Sequence, residues 1–213
     1  MVAAFLFARL SSGQDQVSFP TEDGGLIHAD VYGHGDRAVV LCHGARFDKS
    51  SWAKQARVLA DGGFRVVAID FRGYGQSRGG PQSASGSGQL YRDVLGAVRY
   101  LHQNGAKSVS VVGASMGGGA TAQAVVKAEP GEIERVVLLA HVPIEQPERL
   151  KGRKFFAVSK GDSLFKAVQQ QYEKAPDPKE LLVLEGSAHA QAIFSSDEGE
   201  RLMHEIVRFL SQP

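Results

Sequence analysis

Short apolar runs recur along the chain, each closed by glycine or a polar turn. Between them lie longer stretches whose apolar residues fall at helical spacing. The runs Ala38–Cys42, Val66–Asp70, Ser108–Val112, Arg135–His141, Lys154–Ser159 and Leu181–Leu184 read as strands. Val17–Pro20 and Leu26–Tyr32, parted by Glu22-Asp23-Gly24-Gly25, predict an opening antiparallel pair. Helices are predicted at about 49–61, 89–103, 116–128, 164–174 and 197–210. In the last, Leu202, Met203, Ile206, Phe209 and Leu210 form the core face. Strand alternating with helix predicts an α/β fold on a mostly parallel sheet.

Composition narrows the function without naming it. The 213 residues suffice for one core, and no internal repeat or linker marks a second domain, so residues 1–213 are expected to form a single domain. A formal net charge of +1 gives no electrostatic case for nucleic acid or an anionic membrane. Cys42, the single cysteine, rules out an internal disulfide and reads as a small core residue. Val2–Ala8 is apolar but far too short to span a bilayer, and Arg9 interrupts it. Residues 1–16 are read as a trimmed signal remnant, vector-derived sequence or the start of a first strand, and the compartment stays open. Gly117–Ala122 loosely matches a dinucleotide fingerprint, but its first glycine comes too late after the strand, and no acidic residue ends the next one. There is no phosphate-loop lysine motif and no histidine pair at metal-ligand spacing, so no cofactor and no metal are expected.

The chemistry concentrates at Gly113-Ala114-Ser115-Met116-Gly117, which lies between the strand Ser108–Val112 and a small, apolar helix. A serine at a sharp strand-to-helix turn needs glycines on both sides, and the bend lifts its hydroxyl above the sheet edge. A serine hydroxyl also needs a base and a group to orient that base. Asp162, in the Lys160–Ser163 turn, and His189, after Leu181–Leu184, follow in the order nucleophile, acid, base. Glu185 and Asp70 are the alternative carboxylates. His43-Gly44-Ala45-Arg46 follows the strand Ala38–Cys42, and its Ala45 amide, with that of Met116, would make a two-donor oxyanion hole. His43, Gly44, Gly113 and Gly117 support this arrangement. Arg46, Phe47, Trp52, Tyr74 and His141 are candidate substrate contacts. Each has a plainer alternative: a solvated arginine paired with Asp48, or aromatics pinning loops to the core.

With the His43-Gly44 turn, the Asp70–Ser77 run, the Ser115 elbow, Asp162 and His189 in this order, the chain resembles the α/β-hydrolase superfamily over nearly its whole length. The likeness is to its small, essentially lidless serine hydrolases. It implies a three-layer sandwich, a central sheet of about eight strands with helices on both faces. It also implies cofactor-free cleavage of small carboxylic esters through a Ser-His-Asp triad and an acyl-enzyme. Thioesterase, lactonase, amidase or acyltransferase chemistry would use the same residues. A protein that keeps the fold but only binds is the alternative from another class. Family members often insert a lid where this chain has only Val142–Arg153, room for a turn and one short helix, so an open site and small acyl substrates are expected. The Gly- and Ser-rich loop Gln76–Gly88 reads as a connector or part of the rim. Oligomeric state is not readable from the sequence.

Overall fold

Residues 14–80 and 89–212 are described by the structure, a computed structural model. The expectations for residues 1–13 and for most of the tip of the Gln76–Gly88 loop lie outside them. Strands β1 (Asp15–Pro20) and β2 (Leu26–Tyr32) form the opening hairpin. They are followed by β3 (Arg37–Cys42), β4 (Arg65–Ile69), β5 (Ser108–Ala114), β6 (Arg135–Leu139), β7 (Arg153–Ser159) and β8 (Lys179–Leu184). These strands make one eight-stranded sheet in the order β1-β2-β4-β3-β5-β6-β7-β8. The pairings β1–β2 and β2–β4 are antiparallel and the rest are parallel.

The inner strands are valine-rich because both of their faces are covered. Val66–Ile69 of β4 and all of β6 are buried. Neighbouring residues on β7 identify the two helical layers. Phe155 packs against Phe209 of α5 (Gly199–Ser211), while Phe156 packs against Tyr172 of α4 (Phe165–Lys174). Helix α1 (Ala53–Asp61), preceded by a 3-10 turn at Lys49–Trp52, packs on β4. Helices α2 (Tyr91–Gln103) and α3 (Met116–Lys127) pack on each other and on β5.

Two strand ends depart from expectation. β5 runs on through Gly113 to Ala114, directly into the Ser115 turn. β6 stops at Leu139 because Ala140 takes φ 39°, so His141 leaves the sheet plane two residues earlier than its pattern suggests. Between β6 and β7 the chain has one 3-10 turn, Pro147–Arg149. Sheet order also fixes where a site can form. From β3 the chain passes to β4 on one side, then crosses to β5 on the other, leaving a crevice at the carboxyl ends of β3 and β5. Gly44 follows β3 and Ser115 follows β5.

Candidate active site

Ser115 stands between β5 and α3 at φ 52° and ψ −117°, a conformation that non-glycine residues rarely adopt. The flanking glycines are required by crowding. A Cβ on Gly113 would lie 2.4 Å from Thr121 Oγ1 and 2.6 Å from the Gly117 carbonyl. One on Gly117 would lie 2.4 Å from the His43 carbonyl and 2.5 Å from that of Cys42. Only glycine at these positions lets α3 start so close to the end of β3. The turn is tied down by the Ser115 N–H donating to the Leu139 carbonyl at 2.9 Å and by the Val142 N–H donating to the Ser115 carbonyl at 3.0 Å.

The structure brings Ser115, His189 and Asp162 into one hydrogen-bonded line. His189 Nε2 lies 2.8 Å from Ser115 Oγ, and His189 Nδ1 lies 2.7 Å from Asp162 Oδ2. Asp162 is buried, and its other oxygen accepts the Leu164 N–H at 2.8 Å. A carboxylate facing Nδ1 fixes the proton there and leaves Nε2 as an acceptor for the serine hydroxyl. The histidine loop is held from below by Ser159, whose buried hydroxyl donates to the Ala188 carbonyl at 2.8 Å. The alternative carboxylates lie elsewhere. Glu185 pairs with Lys160 on the surface, and Asp70 accepts from both the Lys49 backbone N–H and its ammonium.

On the other side of Ser115, the His43–Arg46 turn is fixed one peptide at a time. The Gly44 carbonyl accepts from His43 Nδ1 at 2.9 Å and from the Phe47 N–H at 3.0 Å. A carbonyl can only accept, so His43 carries its proton on Nδ1, and its Nε2 receives the Phe71 N–H at 3.3 Å. Burial holds the His43 pKa below its ordinary value, keeping the ring neutral. With the Gly44 carbonyl pinned, the N–H of the same trans peptide, that of Ala45, points the opposite way. Among the described residues neither the Ala45 nor the Met116 N–H is engaged, and Met116 opens α3, where first-turn amides have no helical partner.

The other expected contacts divide. Arg46 and Phe47 are exposed beside Ala45, Phe47 at 40%. Tyr74 is half-buried, its ring edge against His43 and its hydroxyl donating to the Ala45 carbonyl at 2.9 Å. Two expectations fail. Trp52 is buried against Phe194, and His141 is buried beneath Gly118 beside Phe156, so neither side chain can reach a substrate at the surface. Cys42 is buried too, its thiol pushed up to about 12 by burial, as suits a packing residue. Sequence reasoning missed two contributors: Ser159, beneath the histidine loop, and Gln191, a buried polar residue two positions beyond His189. A lone glutamine in the apolar run Ala190–Phe194 was the available signal.

Sheet order, helical layers and a strained serine after the fifth strand define the class, an α/β hydrolase. Within that class the chain belongs to the family described as "Serine aminopeptidase, S33", whose model matches residues 33–178. Among curated proteins it is 34% identical over 124 residues to a non-heme chloroperoxidase of Streptomyces lividans, covering 58% of this chain and 44% of that one. It is 33% identical over 146 residues to a dihydrolipoyllysine-residue acetyltransferase component of an acetoin cleaving system from Cupriavidus necator, covering 66% of this chain and 37% of that one. The matches thus span less than half the length of these relatives. Among solved structures, the esterase Pf2001 of Pyrococcus furiosus superposes with a TM-score of 0.77 at 20% identity, covering 99% and 96% of the two chains. The esterase of Exiguobacterium antarcticum superposes at 0.76 and 16% identity, covering 93% and 100%. At such identities the likeness is one of fold.

Proposed function

We propose that this α/β hydrolase is a serine esterase that cleaves small carboxylic esters without a cofactor, within a single 1–213 domain. The observation that carries the reading is the unbroken line from Asp162 through His189 to Ser115, ending at a hydroxyl on a strained turn. Ser115 Oγ attacks the ester carbonyl as its proton passes to His189 Nε2. The carbonyl π pair moves onto oxygen, where the Ala45 and Met116 N–H groups receive the charge. The tetrahedral adduct collapses, the C–O bond to the alcohol breaks, and His189 returns its proton to the departing oxygen. Water, deprotonated by His189, then attacks the acyl-enzyme, and Ser115 leaves with the proton.

The short connection between β6 and β7, with its single 3-10 turn, supports an open site and a small acyl group. Phe47 and Val142 are exposed apolar residues whose backbone N–H groups bond the Gly44 and Ser115 carbonyls. Thioesters, lactones, amides and acyl transfer would pass through the same acyl-enzyme, so the leaving group is what experiment must fix.

The test is hydrolysis of p-nitrophenyl esters of increasing chain length by wild type and Ser115→Ala, with fluorophosphonate labelling of both. Wild type should turn over the short esters best and take up the probe, while Ser115→Ala should lose about a thousandfold or more of the rate and stay unlabelled. A wild type that neither turns over nor labels sinks the catalytic reading. A preference for long chains sinks the small-acyl part of it.

A further inference from the structure

The geometry points to Gln191 as a positioning residue that locks the oxyanion turn to the histidine loop; this inference rests on the serine-hydrolase reading above. Gln191 sits two residues after His189, in the 3-10 turn Ala190–Ser195, and is buried. Its side chain crosses the site floor between distant parts of the chain. Oε1 accepts the Gly44 N–H at 2.7 Å, and Nε2 donates to Ser51 Oγ at 2.8 Å. Ser51 in turn donates to the Asp48 carbonyl. One amide thus holds both ends of the segment that carries Ala45.

The need for such a clamp follows from the residue it holds. Gly44 lies so near the nucleophile that a Cβ there would sit 3.4 Å from the Ser115 Cβ. Glycine is also the residue least able to hold its own φ and ψ. Its carbonyl is pinned by His43 and Phe47, but rotation about its N–Cα bond is resisted by the Gln191 bond to its N–H. Loss of that bond leaves the Gly44–Ala45 peptide held only through its carbonyl, by His43 and Phe47 of the same turn, so it can tilt about the Gly44 N–Cα bond and the Ala45 N–H tilts with it. The donor matters only when negative charge develops on the substrate oxygen, so misalignment should act on the transition state more than on substrate binding. Gln191 reaches no reacting atom. It acts through Gly44, and it makes the base and the oxyanion donor move as one unit because it shares a loop with His189.

The experiment compares Gln191→Leu, which keeps bulk but has no acceptor, with Gln191→Glu, which keeps an acceptor oxygen for the Gly44 N–H. For the second variant the Ser51 hydroxyl can reverse and donate. The readouts are kcat and KM for p-nitrophenyl acetate, fluorophosphonate labelling rate, the melting temperature, and hydrogen exchange of the Gly44 amide. Gln191→Leu should lower kcat and the labelling rate about ten- to a hundredfold while KM stays within about threefold. Its Gly44 amide should exchange about tenfold faster or more. Gln191→Glu should restore slow exchange and recover at least threefold in labelling rate. The positioning role is overturned if Gln191→Leu labels at the wild-type rate, or if Gly44 exchange is unchanged in it. It is equally overturned if its rate loss matches only a smaller folded fraction. Wild type that neither labels nor turns over overturns the serine-hydrolase reading itself, a result told apart by the parent protein alone.

Discussion

Two histidines flank the Ser115 turn and differ in every physical respect. His189, above the carboxyl ends of the strands, is 43% exposed in its side chain and hydrogen-bonded through both nitrogens, to Ser115 and to Asp162. His141, below the turn, is fully buried beside Phe156 and under Gly118, and among the described residues neither ring nitrogen is hydrogen-bonded. Burial pushes its pKa down to about 4, with the Gln171 amide pulling the other way. Both could serve as a base by residue type, and only one has a proton acceptor behind it and a hydroxyl in front. The lesson is that loops at the carboxyl edge supply polar partners, whereas the layer beneath supplies packing, and a histidine's role follows from the layer it enters.

Breaking the upper histidine should have the largest effect. His189→Ala removes the proton acceptor from Ser115, and ester turnover should fall roughly ten-thousandfold or more, read as kcat under saturating p-nitrophenyl acetate. Asp162→Asn should come next, with a loss on the order of a thousand- to ten-thousandfold. Its carbonyl would stay on the Leu164 N–H, leaving the amide NH2 to face His189 Nδ1. Nδ1 must then accept, Nε2 carries the proton, and it can no longer receive one from Ser115. A variant within tenfold of wild type would show that the carboxylate does not set the tautomer.

This contrast also explains how much the sequence could disclose. Ser115, Asp162 and His189 were legible because each ends a recognisable strand in a fixed order, and order survives errors of a residue or two in strand length. His141 was misjudged because its assignment depended on such an error. Ala140 at φ 39° turns the chain off the sheet and sends the next side chain down rather than up. For Trp52 the sequence allows a substrate contact or a pin to the core, and the 3-10 turn Lys49–Trp52 rolls it into the core against Phe194. Gln191, Ser159 and the Tyr74 hydroxyl act on backbone groups of Gly44, Ala188 and Ala45, and no pattern in a single chain reports which backbone a side chain will meet.

The lower histidine gives a smaller effect of another kind. His141 takes up a proton more readily in the unfolded chain, at about its ordinary 6.5, than in the fold at about 4. Between those values the unfolded state binds more protons, so stability rises with pH and is lost on acidification through that window. Between pH 7 and pH 5 this group should cost about 2 kcal/mol of stability. His141→Phe, which cannot titrate, should lose that much less than wild type over the same interval in urea melts at the two pH values. Equal losses would mean that His141 is solvated after all.

The smallest expected effect sharpens the comparison within the upper layer. Tyr74 holds the Ala45 carbonyl, two peptides beyond the Gly44 N–H held by Gln191. Its hydroxyl also lies 3.7 Å from Met116 Sδ, and its ring edge rests on His43. Tyr74→Phe keeps the ring contact and deletes a single bond to the carbonyl of exposed Ala45, which water can replace. The net value of such a bond is about 0.5–1.5 kcal/mol, so kcat should fall about two- to tenfold with KM little changed. The order of the two losses locates the hinge of the oxyanion turn. A larger loss for Gln191→Leu than for Tyr74→Phe puts the freedom at Gly44, where glycine allows it. The reverse order would put it at the Ala45–Arg46 peptide, and the tyrosine would then be the residue that aims the donor.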